Sequence, residues 1–352
     1  MRLDVVPETL VEGAIRLLNL GPVPLVHTHV ALLLARAVME ASRAGVFAAL
    51  GDGPATAADV AARCGLDTRA TAKLLDALAA SGYFRRRASG ERYSLTAMSR
   101  KWMLPSSPVS MHDKIVFTSI EDGLIDRMGE YLRTGAEVSG AGHLGARTTE
   151  FWTAYQRAMR AVASVSADEV ARRTRVPAGA RDMLDIGGAH GLYSVRLCRR
   201  HPQLASTILE LPEAIPLAAP LLAAERMGDR VRHRAGNVLR DDLGEATYDL
   251  VLISSVLHHF DEPTNRALMC RIARALRPGG AVVVQEFTRG APPGDGGQLG
   301  ALLDLYFSLT SAGGTWTTPE IAAWQRAAGL RPRRAVRLRT MIGVAQQAAV
   351  KP

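Results

Sequence analysis

Apolar positions in the first fifty residues recur at helical spacing. The pattern is broken at Pro22-Val23-Pro24, and the run Val30–Ala49 is apolar on nearly every face. A helix of that kind needs cover all round, so the pattern predicts one long buried helix, packed in part against a second subunit. Two shorter helical stretches follow, Ala57–Ala61 and Arg69–Ser81, with a break at Gly65-Leu66-Asp67. Tyr83-Phe84 and Tyr93-Ser94-Leu95 then read as two short strands around a turn at Ser89-Gly90. That order predicts a winged helix-turn-helix. Pro105 to Thr149, with Gly135, Gly140, Gly142 and Gly145, reads as a connector, and Phe151–Arg173 returns to helical periodicity. From Arg181 onward short apolar runs (Met183–Ile186, Ser206–Leu209, Arg232–Ala235, Asp249–Ser254 and Ala281–Phe287) alternate with helical segments. This is the pattern of a parallel, doubly wound α/β sheet. The expected organisation is a mainly α-helical winged-helix domain over 1–104, a helical linker over 105–174 that contributes to a pocket, and the α/β domain over 175–352.

A chain of 352 residues, 47% hydrophobic and 22% charged, fits two soluble domains. No uninterrupted apolar run reaches the roughly 18 to 20 residues that span a bilayer, so no membrane is expected. Met1–Leu10 carries Asp4, Pro7 and Glu8 rather than a basic segment leading into an apolar one, which argues against export. Cys64, Cys198 and Cys270 are far apart and odd in number, which suits a reducing cytoplasm and predicts neither a disulfide framework nor a metal site. The net charge of +9 comes almost entirely from Arg spread along the chain, a solvated basic surface rather than a nucleic-acid footprint.

The chemistry-bearing motif is Leu184-Asp185-Ile186-Gly187-Gly188-Ala189-His190-Gly191. A strand ending in Asp185 and followed by Gly187, Gly188 and Gly191 makes a tight turn at the carboxyl end of the first strand, where open parallel sheets bind ligands. The dinucleotide pattern GxGxxG fails here, because its later glycines would fall on Ala189 and Leu192. What remains is DxGxxxG. The second strand ends in Glu210, where doubly wound folds place an acid that accepts both hydroxyls of a ribose; a helix-capping acid is the plainer alternative. After the third strand, Asn237 can accept from an adenine amino group while Val238 packs on the ring, or the pair can be an ordinary turn. His190 reads as a surface residue of the glycine loop.

Asp185–Gly191, Leu209-Glu210-Leu211-Pro212, Gly236-Asn237, Leu257-His258-His259-Phe260 and Leu276-Arg277-Pro278-Gly279-Gly280 stand in an order and spacing that resembles class I S-adenosylmethionine (SAM)-dependent methyltransferases. Over nearly the whole chain the resemblance is to the small-molecule O-methyltransferase family of caffeate and polyketide type. It implies a Rossmann-like class I domain with an antiparallel last strand, which Ala335–Arg339 and Met341–Ala348 can supply as a hairpin. It further implies a winged-helix dimerisation domain, a homodimer, and a linking helix like Phe151–Met159. SAM is the implied cofactor, S-adenosylhomocysteine (SAH) the product, and the implied acceptor is an aromatic or polyketide-like small molecule. The cofactor is expected at Asp185, Gly187, Gly188, Gly191, Glu210, Leu211, Asn237, Val238 and Ser254.

In the resembling family the first residue of a His-Asp-Trp triplet is the base. It matches His258, with His259 and Phe260 in the other two places. Two glutamates flank that base in the family; Glu286 matches the first, while Trp316 stands at the second, so the acid that would orient the imidazole from that side is absent. His258, Glu286 and His259 are the expected catalytic residues, although a His-His pair also recurs in methyltransferases without acting as a base. By position, Phe151, Trp152, Met159, Asp304 and Trp316 are expected to line the acceptor pocket, with His112, Phe117, His143 and Tyr306 as further candidates. With one acid missing, methylation at carbon or nitrogen stays open, as does a protein that binds SAM without transferring methyl. The helix-turn-helix order leaves a ligand-sensing DNA-binding regulator open too. Its second helix offers only Arg69 and Lys73 to a groove, while the wing holds Arg85-Arg86-Arg87 and Arg92.

Overall fold

The computed structural model describes residues 4, 6–86, 91–138, 148–290 and 297–352. It divides into two compact units, one running to Ile120 and the other from Glu121 to Pro352. The turn expected at Ser89-Gly90, and His143, lie outside the described residues.

In the first unit a capping box between Thr9 and Glu12 starts a helix over Leu10–Leu17. A second helical stretch runs through Val23–Leu25, a π-helical turn at Val26–Val30, and Ala31–Arg43. The single helix expected over Val30–Ala49 therefore stops at Arg43. Gly45, at φ +80°, turns the chain before Val46–Ala49 resumes, a left-handed conformation that glycine adopts without the Cβ clash other residues incur. Within this unit the helix buries only Val38, Ala41 and Ser42, and leaves Leu32 and Leu33 more than half exposed. Contrary to the sequence expectation, Val23–Arg43 is long and apolar enough to cross a membrane, with 21 residues and a mean hydropathy of 1.3. Its helix continues through His27, Thr28, His29 and Arg36, the polar residues that break the run when consecutive apolar positions are counted.

Strand β1 (Ala55–Thr56), helices over Ala57–Cys64 and Thr68–Ala80, and strands β2 (Phe84–Arg86) and β3 (Arg92–Leu95) complete the helix-turn-helix with its hairpin. The strands form an antiparallel sheet in the order β1-β3-β2. Thr56 caps the first helix, Gly65 ends it in a left-handed conformation, and Asp67 caps the second. Phe47, Leu50, Val60, Leu75, Leu78 and Phe84 form the core beneath them.

The second unit is an eight-stranded sheet. Strands β4 (Asp182–Ile186), β5 (Ala205–Glu210), β6 (Val231–Ala235), β7 (Tyr248–Ser254) and β8 (Leu276–Phe287) are parallel. β9 (Arg331–Pro332), β10 (Val336–Arg337) and β11 (Val344–Val350) follow, and β11 lies antiparallel against β8. The order is β10-β11-β8-β7-β4-β5-β6, with β9 also on β11. The expected C-terminal hairpin is present, with its second strand starting after Gly343 at φ +84°. Strands such as Leu250–Ile253 are fully buried because helices cover both faces. β4 and β7 neighbour each other at the point where the strand order reverses, so their carboxyl ends open the crevice in which such sheets bind ligands. A 25-residue helix, Thr149–Arg173, precedes the sheet and is capped by Thr148. Its Glu169 accepts from the backbone N–H groups of Arg339 and Thr340, which ties this linking helix to the C-terminal hairpin.

Candidate active site

The loop after β4 is built around a buried carboxylate. Asp185 Oδ2 accepts from Ser194 Oγ at 2.6 Å, and Ser194 in turn lies 2.8 Å from Ser206. Burial pushes Asp185 up to about 6, against the pull of the Ser194 hydrogen bond. A Cβ at position 188 would stand 2.5 Å from that carboxylate, so only glycine passes over it. Gly187 combines φ +65° with a would-be Cβ contact of 2.7 Å to Val256, and Gly191 caps the following helix. Ala189 also sits at positive φ (+49°) and is held there from both sides. Its N–H donates to Glu210 Oε2 (2.9 Å) and its carbonyl faces His233 Nε2 (2.8 Å). A strained residue fixed by two such partners marks a place where the loop's shape matters.

His190 is buried, not on the surface as its sequence context suggests. Its Nδ1 accepts from Leu192 N–H at 3.1 Å, burial drives its pKa down to about 3, and the backbone of Met159 is its partner on the linking helix. It pins the glycine loop to that helix as a neutral ring.

A cavity of about 340 Å³ opens beside this loop, within the roughly 300–1,000 Å³ range of small-molecule sites. One wall is Ile186, Gly187 and Ala189; another is Glu210 and Leu211 from the end of β5. Asn237, Val238 and Leu239 follow β6; Ser255, Val256, His259 and Phe260 follow β7; and Trp152, Tyr155 and Gln156 come from the linking helix. Burial raises Glu210 to about 7, even though it accepts the N–H groups of Leu211 and Ala189. Asn237 Oδ1 accepts from Leu239 N–H, so the Asn closes its own turn.

The loop after β7 is fastened at every residue. Glu286, 1% exposed, accepts from the N–H groups of Val256 and Leu257 on Oε1, both at 2.7 Å, and lies 2.9 Å from His258 Nδ1 through Oε2. The His258 ring stacks on Phe307, with centroids 3.9 Å apart, and neighbours His259 at 4.2 Å. Asn265 Nδ2 donates to the carbonyls of Leu257 and Phe260, and Ser311 Oγ donates to that of His258. An ionised Glu286 Oε2 can only accept, which would keep the proton on Nδ1 and leave a lone pair on Nε2. In that tautomer the imidazole can accept a proton.

Residues 117–331 match the family model described as an O-methyltransferase domain, and residues 28–105 match an O-methyltransferase dimerisation domain. The chain belongs to the O-methyltransferase family. It is 30% identical over 306 residues to 3-hydroxy-5-methyl-1-naphthoate 3-O-methyltransferase of Streptomyces sahachiroi, covering 83% of this chain and 85% of that one. It is also 30% identical over 331 residues to the N,N-dimethyltransferase OxyT of Streptomyces rimosus (90% and 93%). In fold it is similar to human N-acetylserotonin methyltransferase, solved in complex with SAM, with a TM-score of 0.85 at 21% identity and 96% and 97% coverage.

In this O-methyltransferase several residues singled out from sequence lie off the cavity. Ser254 does not line it: as the last residue of β7 it accepts from Gln285 Nε2, and the next residue, Ser255 at φ +55°, turns toward the cavity instead. Asp185, Gly188 and Gly191 shape the glycine loop from beneath, and His258 and Glu286 stand behind His259. Phe151 stacks on Tyr155, and Met159 gives its backbone to His190. Asp304 Oδ1 receives the N–H and hydroxyl of Thr315. Trp316 packs on the core beside Trp324 and donates its indole N–H to the Leu257 carbonyl, so the residue in the second acid's place serves as one more pin for the His258 loop. His112 and Phe117 belong to the other unit. Tyr155, Gln156, Leu239, Ser255, Val256 and Phe260 line the cavity without having been singled out for it. An i, i+3, i+4 reading of Trp152, Tyr155 and Gln156 as one helix face carried the signal for two of them.

Proposed function

We propose that this protein transfers a methyl group from SAM to a hydroxyl of an aromatic or polyketide-like small molecule, as a cytoplasmic homodimer joined through its N-terminal unit. The observation that carries the reading is the buried Glu286–His258 pair, held in the loop that lines the glycine-loop cavity. The cavity suits the cofactor: Glu210 offers carboxylate oxygens to ribose hydroxyls, Val238 and Phe260 offer apolar surface to the adenine, and Gly187 lets backbone approach closely. When bound, SAM supplies a methyl group made electrophilic by its sulfonium. His258 Nε2 takes the proton of the acceptor hydroxyl, Glu286 holds the resulting imidazolium in place, and the fastened loop keeps base and acceptor in line. The naphthoate methyltransferase relative supports an aromatic hydroxyl as acceptor. For the dimer, the exposed leucines of Val23–Arg43 supply an apolar face within the region matched by the dimerisation model.

A second reading is methyl transfer to an amine. Trp316 in place of an acid weakens the case for a hydroxyl-deprotonating base, and the OxyT relative is named as an N,N-dimethyltransferase. The test is SAH release from SAM with hydroxynaphthoates on one side and aryl or alkyl amines on the other, using wild type and His258→Ala. Turnover of the hydroxyl acceptors that is lost in His258→Ala is the expected result. Turnover confined to amines, or undiminished in the variant, overturns it.

A further inference from the structure

Gln156 is 1% exposed, lines the cavity, and makes no hydrogen bond from either Oε1 or Nε2 to any described residue. Buried side-chain amides are nearly always paired, because leaving one unpaired forfeits its hydration with nothing in return. Its i−4 and i−1 neighbours on the helix, Trp152 and Tyr155, also line the cavity. One turn further along, Met159 is joined through its backbone to His190 of the glycine loop, which ties this stretch of helix to that loop.

We propose that Gln156 holds the charged amino-acid end of the cofactor, with Oε1 accepting from its ammonium group and Nε2 donating to its carboxylate. The proposal rests on the reading that SAM occupies this cavity with its ribose at Glu210. The part of the ligand that passes the ribose toward Gly187 and Ala189 is then the amino-acid arm, and that arm carries one donor cation and one acceptor anion. A primary amide is the neutral side chain that can serve both at once. A carboxylate would repel the arm's own carboxylate, and a Lys or Arg its ammonium.

The experiment is calorimetric titration of wild type, Gln156→Met and Gln156→Glu with SAH and with 5′-methylthioadenosine, which lacks the amino-acid arm. Hydrogen bonds to charged groups predict SAH binding to Gln156→Met about 10- to 100-fold weaker. Methylthioadenosine should bind both proteins alike, and Gln156→Glu should show the same selectivity. The melting temperature of Gln156→Met without ligand should be unchanged or raised, because an unpaired amide has been removed. Equal weakening for both ligands would assign Gln156 to the nucleoside and overturn the proposal, as would unchanged SAH affinity. Failure of wild type to bind SAH at all would instead remove the underlying reading of the cavity.

Discussion

Replacing Glu286 by Gln tests how the base is made. The carboxylate serves three donors, the N–H groups of Val256 and Leu257 on one oxygen and His258 Nδ1 on the other. An amide has one oxygen, which the two backbone donors claim, so its NH₂ must face the imidazole. His258 Nδ1 then has to accept, the ring proton moves to Nε2, and the lone pair that would take the acceptor's proton is gone. General-base catalysis is worth about 10²- to 10⁴-fold, so kcat should fall by that factor, about 3 to 5 kcal/mol of barrier. The fold should lose less, about 1 to 3 kcal/mol, since the backbone bonds survive and only the charged contact weakens. The assay is single-turnover methyl transfer to a phenolic acceptor at saturating SAM, with SAH affinity and melting temperature measured alongside. Adding His258→Ala to Glu286→Gln should cost little further, because the two act as one unit. A Glu286→Gln enzyme turning over within threefold of wild type, with only its melting temperature lowered, would show the pair to be structural and refute the reasoning.

Three other outcomes follow from the site. Burial holds Glu210 near 7 instead of its ordinary 4.5, so if ribose binding needs the carboxylate, SAH affinity should fall by up to tenfold per pH unit below about 7. Glu210→Gln should bind weakly at every pH, and a flat wild-type profile between pH 5.5 and 8.5 would remove the role. The same shift means the folded chain holds a proton that the unfolded chain releases between about pH 4.5 and 7, so this group's contribution to stability declines as pH rises through that window; ligand-free Glu210→Gln should gain on wild type in melting temperature there. His190 runs the other way: folded near 3 against an ordinary 6.5, it leaves the proton to the unfolded chain and lowers stability as pH falls through that range. His190→Asn should therefore be less acid-sensitive than wild type in thermal melts, although it is less stable at pH 8 by about 1 to 3 kcal/mol from the lost loop contacts.

The sheet was legible because its strands are continuous apolar runs bounded by turn residues, and the glycine loop because a carboxylate under Gly188 leaves no room for a side chain. Glu210 and Asn237 follow from position at strand ends and both line the cavity. Ser254 against Ser255 turns on one residue: strand alternation sends Ser254 toward Gln285, and a positive φ turns Ser255 outward, which no pattern of residue types announces. The linking helix is buried on several sides at once, with Trp152, Gln156, Ala158 and Ala163 all covered. Burial therefore does not say which face meets the cavity, whereas the i, i+3, i+4 spacing of Trp152, Tyr155 and Gln156 groups these three and leaves Phe151 out. His190 reads as a surface residue in the sequence because nothing local reveals that Leu192 and Met159 use up its ring nitrogens. The leucines of Val30–Ala49 are expected to be covered, and among the described residues Leu32 and Leu33 stay more than half exposed.

Trp316 bears on which acceptors such a site can serve. A simple phenol near pKa 10 and an ordinary imidazole near 6.5 differ by roughly 3.5 units, or about 5 kcal/mol that the site must supply before proton transfer is level. Two flanking carboxylates would share that task. Here Glu286 is the carboxylate hydrogen-bonded to the ring, while Trp316 donates to the Leu257 carbonyl and meets Trp324 edge-on, adding rigidity without charge. A rigid site with a single acid favours acceptors whose own chemistry narrows the gap: hydroxyls acidified by a neighbouring carbonyl or by a fused, conjugated ring, or amines, whose lone pair attacks before any proton is lost. The same substitution that keeps nitrogen methylation in view thus also narrows the hydroxyl acceptors to those that ionise readily.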